Sequence, residues 1–343
     1  MAYVVMSGDA RCLPLQDRSV ACCVTSPPYW QLRDYQTGRW EGGDPACLHS
    51  PADTPGQRGL ASSTLGGGKA TTGHQREGYG KQGPRCGAVR VDAQIGGKGE
   101  TLQDYLAALV QVCREVWRVL VDTGTLFVVM GDTYASAWPC ARRNVVGAGS
   151  LENGTRQARP SRLPEGLREK SLIGVPWRLA FALQDAGWIL RSAITWCKQA
   201  PMPESVQDRP SKATEQIFLF AKQSRYYYDA TAVRVADAGY RSGNGFVGRQ
   251  GGARDTARSG GPGSVERYEP GAGRNLWDYW VLPPDPSPVQ HYATFPREIP
   301  RRCILAGCPP SGTVLDCFGG VGTTAVVAHS LGRSCVSVDL SMA

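Results

Sequence analysis

No stretch of the sequence approaches the ~18 consecutive apolar residues that a membrane-crossing helix requires, and residues 1–10 hold no basic region followed by a long apolar run. A soluble, cytoplasmic protein is the expectation. An internal repeat is also lacking, which argues against a solenoid. Without a secretory signal, the 12 cysteines belong to a reducing compartment, where each is by default a small buried apolar residue rather than half of a disulfide. Acidic residues are the scarcer charge, 30 against 38 Lys and Arg, for a formal net charge of +8. That balance favours a polyanionic partner through counterion release. What is present, 41% hydrophobic residues over 343 positions, is enough for one large α/β core with insertions and excludes disorder or a fibrous repeat.

Two short apolar runs, 3–6 and 20–25, have strand length, and the second stops abruptly at Ser26-Pro27-Pro28-Tyr29. Residues 36–98 are rich in Gly, Pro, Thr and charge without periodicity, so they are expected to form an insertion or a small irregular subdomain. From Thr101 onward Leu102, Tyr105, Leu106, Leu109, Val112, Cys113, Val116, Trp117 and Leu120 recur at helical spacing. Asp122-Thr123-Gly124 breaks that helix, and 125–130 reads as a strand buried on both faces of a parallel sheet. A helix over 176–186, strands around 188–198 and 216–222, and a final strand, turn, helix and strand over 313–339 complete the alternation, which implies α/β. Between 237 and 274 the chain carries Arg241, Arg249, Arg254, Arg258, Arg267 and Arg274 among glycines and serines, a basic loop.

Two segments carry chemistry. Gly319, Gly320 and Gly322 let the backbone turn sharply and approach a ligand where a Cβ would collide. A helix N-terminus follows, and Asp339 at the end of the next strand is placed to accept the ribose hydroxyls of an adenosine. Asp316, just before the turn, is a candidate for the ammonium of a methionine tail. The second segment is Ser26-Pro27-Pro28-Tyr29-Trp30, in which two prolines remove two backbone donors and stiffen the chain. Ser26 and the Pro27 carbonyl are candidate acceptors for the protons of an exocyclic amino group, whose lone pair is otherwise delocalised into the base. Tyr29 is a candidate platform on which a base extruded from the duplex could stack, worth roughly 1 to 3 kcal/mol.

Together these segments resemble the amino-methyltransferases of DNA, the N4-cytosine and N6-adenine group. Ser26, Pro27, Pro28 and Tyr29 resemble its catalytic tetrapeptide, and Asp316, Cys317, Phe318, Gly319, Gly320, Val321, Gly322, Thr323 and Thr324 its cofactor loop. Gly8-Asp9, residues 124–132, Trp196-Cys197-Lys198, Asp208-Arg209-Pro210 and Ala293-Thr294-Phe295-Pro296 are similar too. The order, tetrapeptide first and cofactor loop last, is that of the permuted β class. The resemblance implies a circularly permuted Rossmann-like sheet of seven strands with irregular insertions. It also implies S-adenosyl-L-methionine as donor and double-stranded DNA as substrate. By the same carry-over Asp9 lies near the cofactor adenine and Phe295 and Pro296 near its methionine part. A serine before Pro-Pro-Tyr goes mostly with cytosine N4, with adenine N6 the alternative. A cognate restriction endonuclease is the further partner it brings to mind. One catalytic domain over 1–343 is expected, with target recognition in 229–290. Arg241, Arg249, Arg254 and Arg258 are the expected phosphate contacts.

The chain departs from that pattern at Cys317, where Pro is usual, and at Val321, where a small polar residue is common. In the insertion Cys47, His49 and Cys86 resemble a zinc-holding insert, but Gly83 stands at the fourth ligand position, so no metal is expected. Cys140 offers a nucleophile for cytosine-C5 chemistry only superficially, because the cofactor loop would then precede it. A methyltransferase scaffold that binds DNA without catalysis is the reading from a different class.

Overall fold

The computed structural model describes residues 3–31, 39–42, 89–91, 93–97, 100–135, 163–235, 273–285 and 295–340. In chain order the elements are β1 (Tyr3–Ser7), β2 (Val20–Thr25), β3 (Arg39–Glu41), β4 (Val89–Val91), α1 (Leu102–Val119), β5 (Leu120–Met130) and α2 (Val175–Asp185). They continue with β6 (Ile189–Lys198), β7 (Thr214–Ala221), β8 (Tyr279–Leu282), α3 (Glu298–Gly307), β9 (Thr313–Asp316), α4 (Thr323–Ser330) and β10 (Ser334–Asp339).

α1 starts where Thr101 accepts the Asp104 amide at 3.0 Å, an N-cap that satisfies one of the helix's unpaired donors. Its apolar stripe is buried from Leu102 to Val119. The strand that follows begins at once, at Leu120, rather than at 125. Val20 pairs with Leu120 and Cys22 with Thr125, so the residues between bulge out of the ladder. The bulge is why 122–124 reads as a break. Gly124 sits inside it, where a Cβ would come within 3.1 Å of the Ala21 carbonyl oxygen.

Eight strands form one sheet in the order β1-β10-β9-β2-β5-β7-β6-β8. Neighbours from β1 to β5 are parallel, β7 runs antiparallel to both β5 and β6, and β8 is parallel to β6. The count exceeds the seven implied by resemblance because β8 adds an edge. Its four residues alternate between exposed and buried, a pattern too short to stand out in the sequence. The pair β3 and β4, antiparallel inside the segment expected to be irregular, and α3 are likewise additions. β1 lies beside β10 with Tyr3 opposite Cys335 and Ser7 opposite Asp339, so the first and last strands meet, as permutation requires.

Strand alternation divides the core. Phe218 and Phe220 pack with α1 and α2 on one face, whereas Ile217 and Leu219 pack with α3 and α4 on the other. Replacing a fully buried member such as Leu179 or Ile299 by Ala costs about 2–5 kcal/mol. Among the described residues Cys22, Cys23, Cys113, Cys303, Cys308, Cys317 and Cys335 are free and buried, and Cys12 is exposed. Burial pushes the Cys335 thiol up to about 12.

Candidate active site

Two turns meet at the carboxyl ends of the neighbouring strands β9 and β2, the edge at which an open α/β sheet presents its crevice. The first turn, after β9, is held by backbone. Gly319 donates to the Val338 carbonyl at 2.9 Å and Gly322 to the Gly319 carbonyl at 2.8 Å, while Gly320 donates to Asp339 Oδ2 at 2.8 Å. Gly319 is pressed against β10, since a Cβ there would stand 1.9 Å from Ser337 Oγ. Gly320 and Gly322 have φ of +48° and +77°, and the space over Gly320 is open. Gly322 begins α4 without a side-chain cap, leaving the helix start to offer backbone N–H groups.

Asp316 lies beneath this turn, 3% exposed. Its Oδ1 accepts the Thr25 hydroxyl at 2.7 Å and the Phe318 amide at 3.2 Å. Burial pushes its carboxyl up, against the hydroxyls of Thr324 and Thr25, which hold it down. Asp316 therefore works as a strut between the two turns. Asp9 follows β1 beside Asp339, where Gly8 donates to the Asp339 carbonyl at 2.9 Å. Its carboxylate takes the Arg11 guanidinium at 2.7 and 3.0 Å. Burial by itself would raise the Asp9 carboxyl, but Arg11 carries it below its usual range. Phe295 and Pro296 lead into α3, with Phe295 packed on the core shared by α3 and α4. The structure thus gathers Asp9, Asp316, Phe318, Gly319, Gly320, Gly322, Thr323, Thr324 and Asp339 around the ends of β1, β10 and β9, with Phe295 and Pro296 at the start of α3.

The second turn, after β2, is held by side chains. Tyr105 of α1 donates its hydroxyl to the Pro28 carbonyl at 2.8 Å. Trp30 Nε1 and Gln31 Nε2 both donate to the Glu100 carbonyl, at 3.1 and 3.0 Å. Pro27 is buried and Ser26 partly so. The Tyr29 ring is backed by Gly131, where a Cβ would lie 2.7 Å from Cε2. Its hydroxyl donates to Glu215 Oε2, and Lys198 Nζ donates to the other carboxylate oxygen at 2.5 Å. Burial first, then the Glu215 charge, push the Tyr29 phenol well above its ordinary value, so it stays a donor.

Glu215 was not singled out in the sequence. The strand expected at 216–222 begins one residue after it, and only the structure shows it 9% exposed, where a carboxylate is rarely buried without a partner. Beside it, the loop between β6 and β7 is braced by Glu204, which accepts Arg209 Nη1 at 2.7 Å and the Lys212 amide at 3.1 Å. Arg209 lies 3.8 Å from the centre of the Tyr134 ring. Lys212 Nζ donates to the Asp132 carbonyl. Asp132 itself caps α2 by accepting the Gly174 and Val175 amides at 3.0 Å.

Arg241, Arg249, Arg254, Arg258 and Arg267, Cys140, and the insertion's Cys47, Gly83, His49 and Cys86 lie outside the described residues. Arg274 is described and stacks 3.5 Å from the Trp277 ring centre. Among the described residues no three His, Cys, Asp or Glu side chains cluster as metal ligands.

A DNA methylase family model for N6 and N4 enzymes matches residues 20–343. The chain is similar to the Type II methyltransferase M.SmaI of Serratia marcescens, 33% identical over 98% of this chain and 86% of the relative. It is also similar to M.Cfr9I of Citrobacter freundii, 35% identical over 95% and 79%. Among solved structures, the PvuII cytosine-N4-specific DNA methyltransferase shares the fold with a TM-score of 0.54 at 14% identity, covering 99% of this chain and 83% of that one. A Thermus thermophilus DNA modification methylase in complex with S-adenosyl-L-methionine gives 0.51 at 17% identity, covering 99% and 89%.

Proposed function

The chain belongs to the DNA methylase family whose model it matches, and from that premise we propose that it methylates cytosine N4 in double-stranded DNA. At the coarser level it is an S-adenosylmethionine-dependent DNA methyltransferase of the N4/N6 group. The observation that carries the finer reading is the tetrapeptide Ser26-Pro27-Pro28-Tyr29 at the end of β2, one strand from the glycine turn and tied to it through Thr25 and Asp316.

The residues around the glycine turn fit an adenosyl ligand with a ribose and a charged tail. Space is open over Gly320, backbone donors stand at the start of α4, and a carboxylate ends the adjacent strand. Phe318, Gly319, Gly320, Gly322, Thr323, Thr324 and Asp339 would hold it, with Asp9, Phe295 and Pro296 at its flanks and Asp316 beneath. S-adenosylmethionine, when bound there, supplies an electrophilic methyl group. The rest belongs to this chain. Ser26 and the Pro27 carbonyl accept the protons of the target amino group, which frees its nitrogen lone pair from the ring. Tyr29 stacks on the extruded base and offsets part of the cost of leaving the duplex, a few kcal/mol. The serine ahead of Pro-Pro-Tyr favours cytosine.

In this reading one catalytic domain spans 1–343 with an insertion at 36–98, and residues 229–290 supply target recognition, with Arg241, Arg249, Arg254 and Arg258 on phosphates. A cognate restriction endonuclease would suit a chain whose relatives carry Type II names. The test is mass spectrometry of nucleosides from DNA incubated with the purified protein and S-adenosylmethionine. N4-methylcytosine is expected. N6-methyladenine would move the base assignment and keep the site chemistry, whereas 5-methylcytosine would refute both.

A further inference from the structure

Glu215 and Lys198 stand in a line of strand ends that leads to the tetrapeptide. In the order β2-β5-β7-β6, Tyr29 follows β2, Gly131 follows β5, Glu215 lies at the head of β7 and Lys198 closes β6. To reach Glu215 the phenol must pass over a whole strand, a span of roughly 9–10 Å between β2 and β7. It passes β5 where that chain has no side chain, since a Cβ on Gly131 would lie 2.7 Å from the ring. Trp196 is directly opposite Glu215, so Lys198, two residues on, is its diagonal neighbour on the same face.

The sheet does not need this pair. The β6–β7 ladder runs from Ile189 with Ala221 to Cys197 with Thr214 through backbone bonds, and buried charges cost desolvation that apolar residues of like volume would avoid. A carboxylate does what an apolar residue could not, which is to give the Tyr29 hydroxyl one fixed acceptor. Because an ionised carboxylate only accepts, the phenol proton points to Glu215 and the ring is held in one orientation.

We propose that Glu215, held by Lys198, is a positioning residue for methyl transfer, fixing the plane of the Tyr29 ring on which the target base stacks. The inference rests on the reading of Tyr29 as the base platform. Its role is exerted through Tyr29, and the test is built on that dependence.

The experiment is a mutant cycle in the full chain: Tyr29→Phe, Glu215→Ala, Glu215→Gln, and Tyr29→Phe combined with each Glu215 change. The rate of methyl incorporation into unmethylated bacterial DNA is read at saturating DNA and S-adenosylmethionine, with the Michaelis constant for the latter and the unfolding midpoint alongside. Tyr29→Phe and Glu215→Ala should each slow kcat by about tenfold, the scale of one hydrogen bond to a charged acceptor. Their combination should be no slower than the slower single variant. Glu215→Gln, which keeps an acceptor, should recover much of the rate, and the Michaelis constant should not move. Effects that multiply, or wild-type kcat in Glu215→Ala, would overturn the proposal. Should Glu215→Ala fail to fold, the Gln cycle decides, because Tyr29→Phe must then erase the difference between Glu and Gln. Tyr29→Ala separates the two readings. Full activity there removes the platform itself, whereas loss of activity with multiplying Phe and Gln effects removes only the role of Glu215.

Discussion

The two turns at the crevice sit on adjacent strands and are built in opposite ways. The proline turn after β2 is immobilised from outside, by Tyr105 on Pro28, by the contacts of Trp30 and Gln31, and by the reach of Tyr29 over Gly131 to Glu215. The glycine turn after β9 is shaped from within, by backbone bonds and left-handed glycines, and its exposed tip at Gly320 and Val321 is open. In the proposed reading the contrast follows from what each turn would meet. A neutral amino group needs rigid acceptors at one point, so preorganised side chains serve it. A larger adenosyl ligand needs close backbone approach along its length, so side chains must be absent. Asp316 joins the two, bonded to Thr25 of one and to Phe318 of the other.

If that division of labour holds, damage to each turn should appear in a different kinetic constant. The largest effect is expected from Tyr29→Ala, which removes the stacking surface and should lower kcat/KM by about one to two decades. Binding of S-adenosylmethionine, measured by calorimetry, should be retained. A lost cofactor affinity in that variant would mean that the turns are one unit. Next is Asp339→Ala, which removes the carboxylate bonded to Gly320 and proposed to hold the ribose. It should raise the Michaelis constant for S-adenosylmethionine about tenfold, the scale of one hydrogen bond to a charged acceptor, while kcat at saturation stays close to wild type. A fall in kcat alone would move Asp339 from binding to chemistry. The smallest effect belongs to a change in neither turn. Direct transfer to nitrogen forms no covalent enzyme intermediate, so Cys140→Ala should methylate DNA at the wild-type rate. An inactive Cys140→Ala would point to a cysteine nucleophile instead.

The two turns of the candidate site were legible in the chain because their parts are local. Pro27 and Pro28 constrain their own backbone, and Gly319, Gly320 and Gly322 announce a turn by lacking side chains. Thr101 caps α1 from three residues away, and helix and strand periodicities are read within a dozen residues. Glu215 was not legible. Nothing near it in the sequence says that a tyrosine 186 positions earlier will bond to it. β8 failed for a related reason, since four residues at an edge carry too little pattern to stand apart from a loop.

Sequence by itself therefore determined the α/β alternation, the permuted order and the two turns, each written in short-range backbone constraints. Tertiary structure alone decided the eighth strand, the bulge that starts β5 at Leu120, and the line from Tyr29 over Gly131 to Glu215 and Lys198. Those features depend on which strands become neighbours. That choice is settled by burying both faces of the sheet under helices, α1 and α2 on one side and α3 and α4 on the other among the described residues, a condition that no short segment can express.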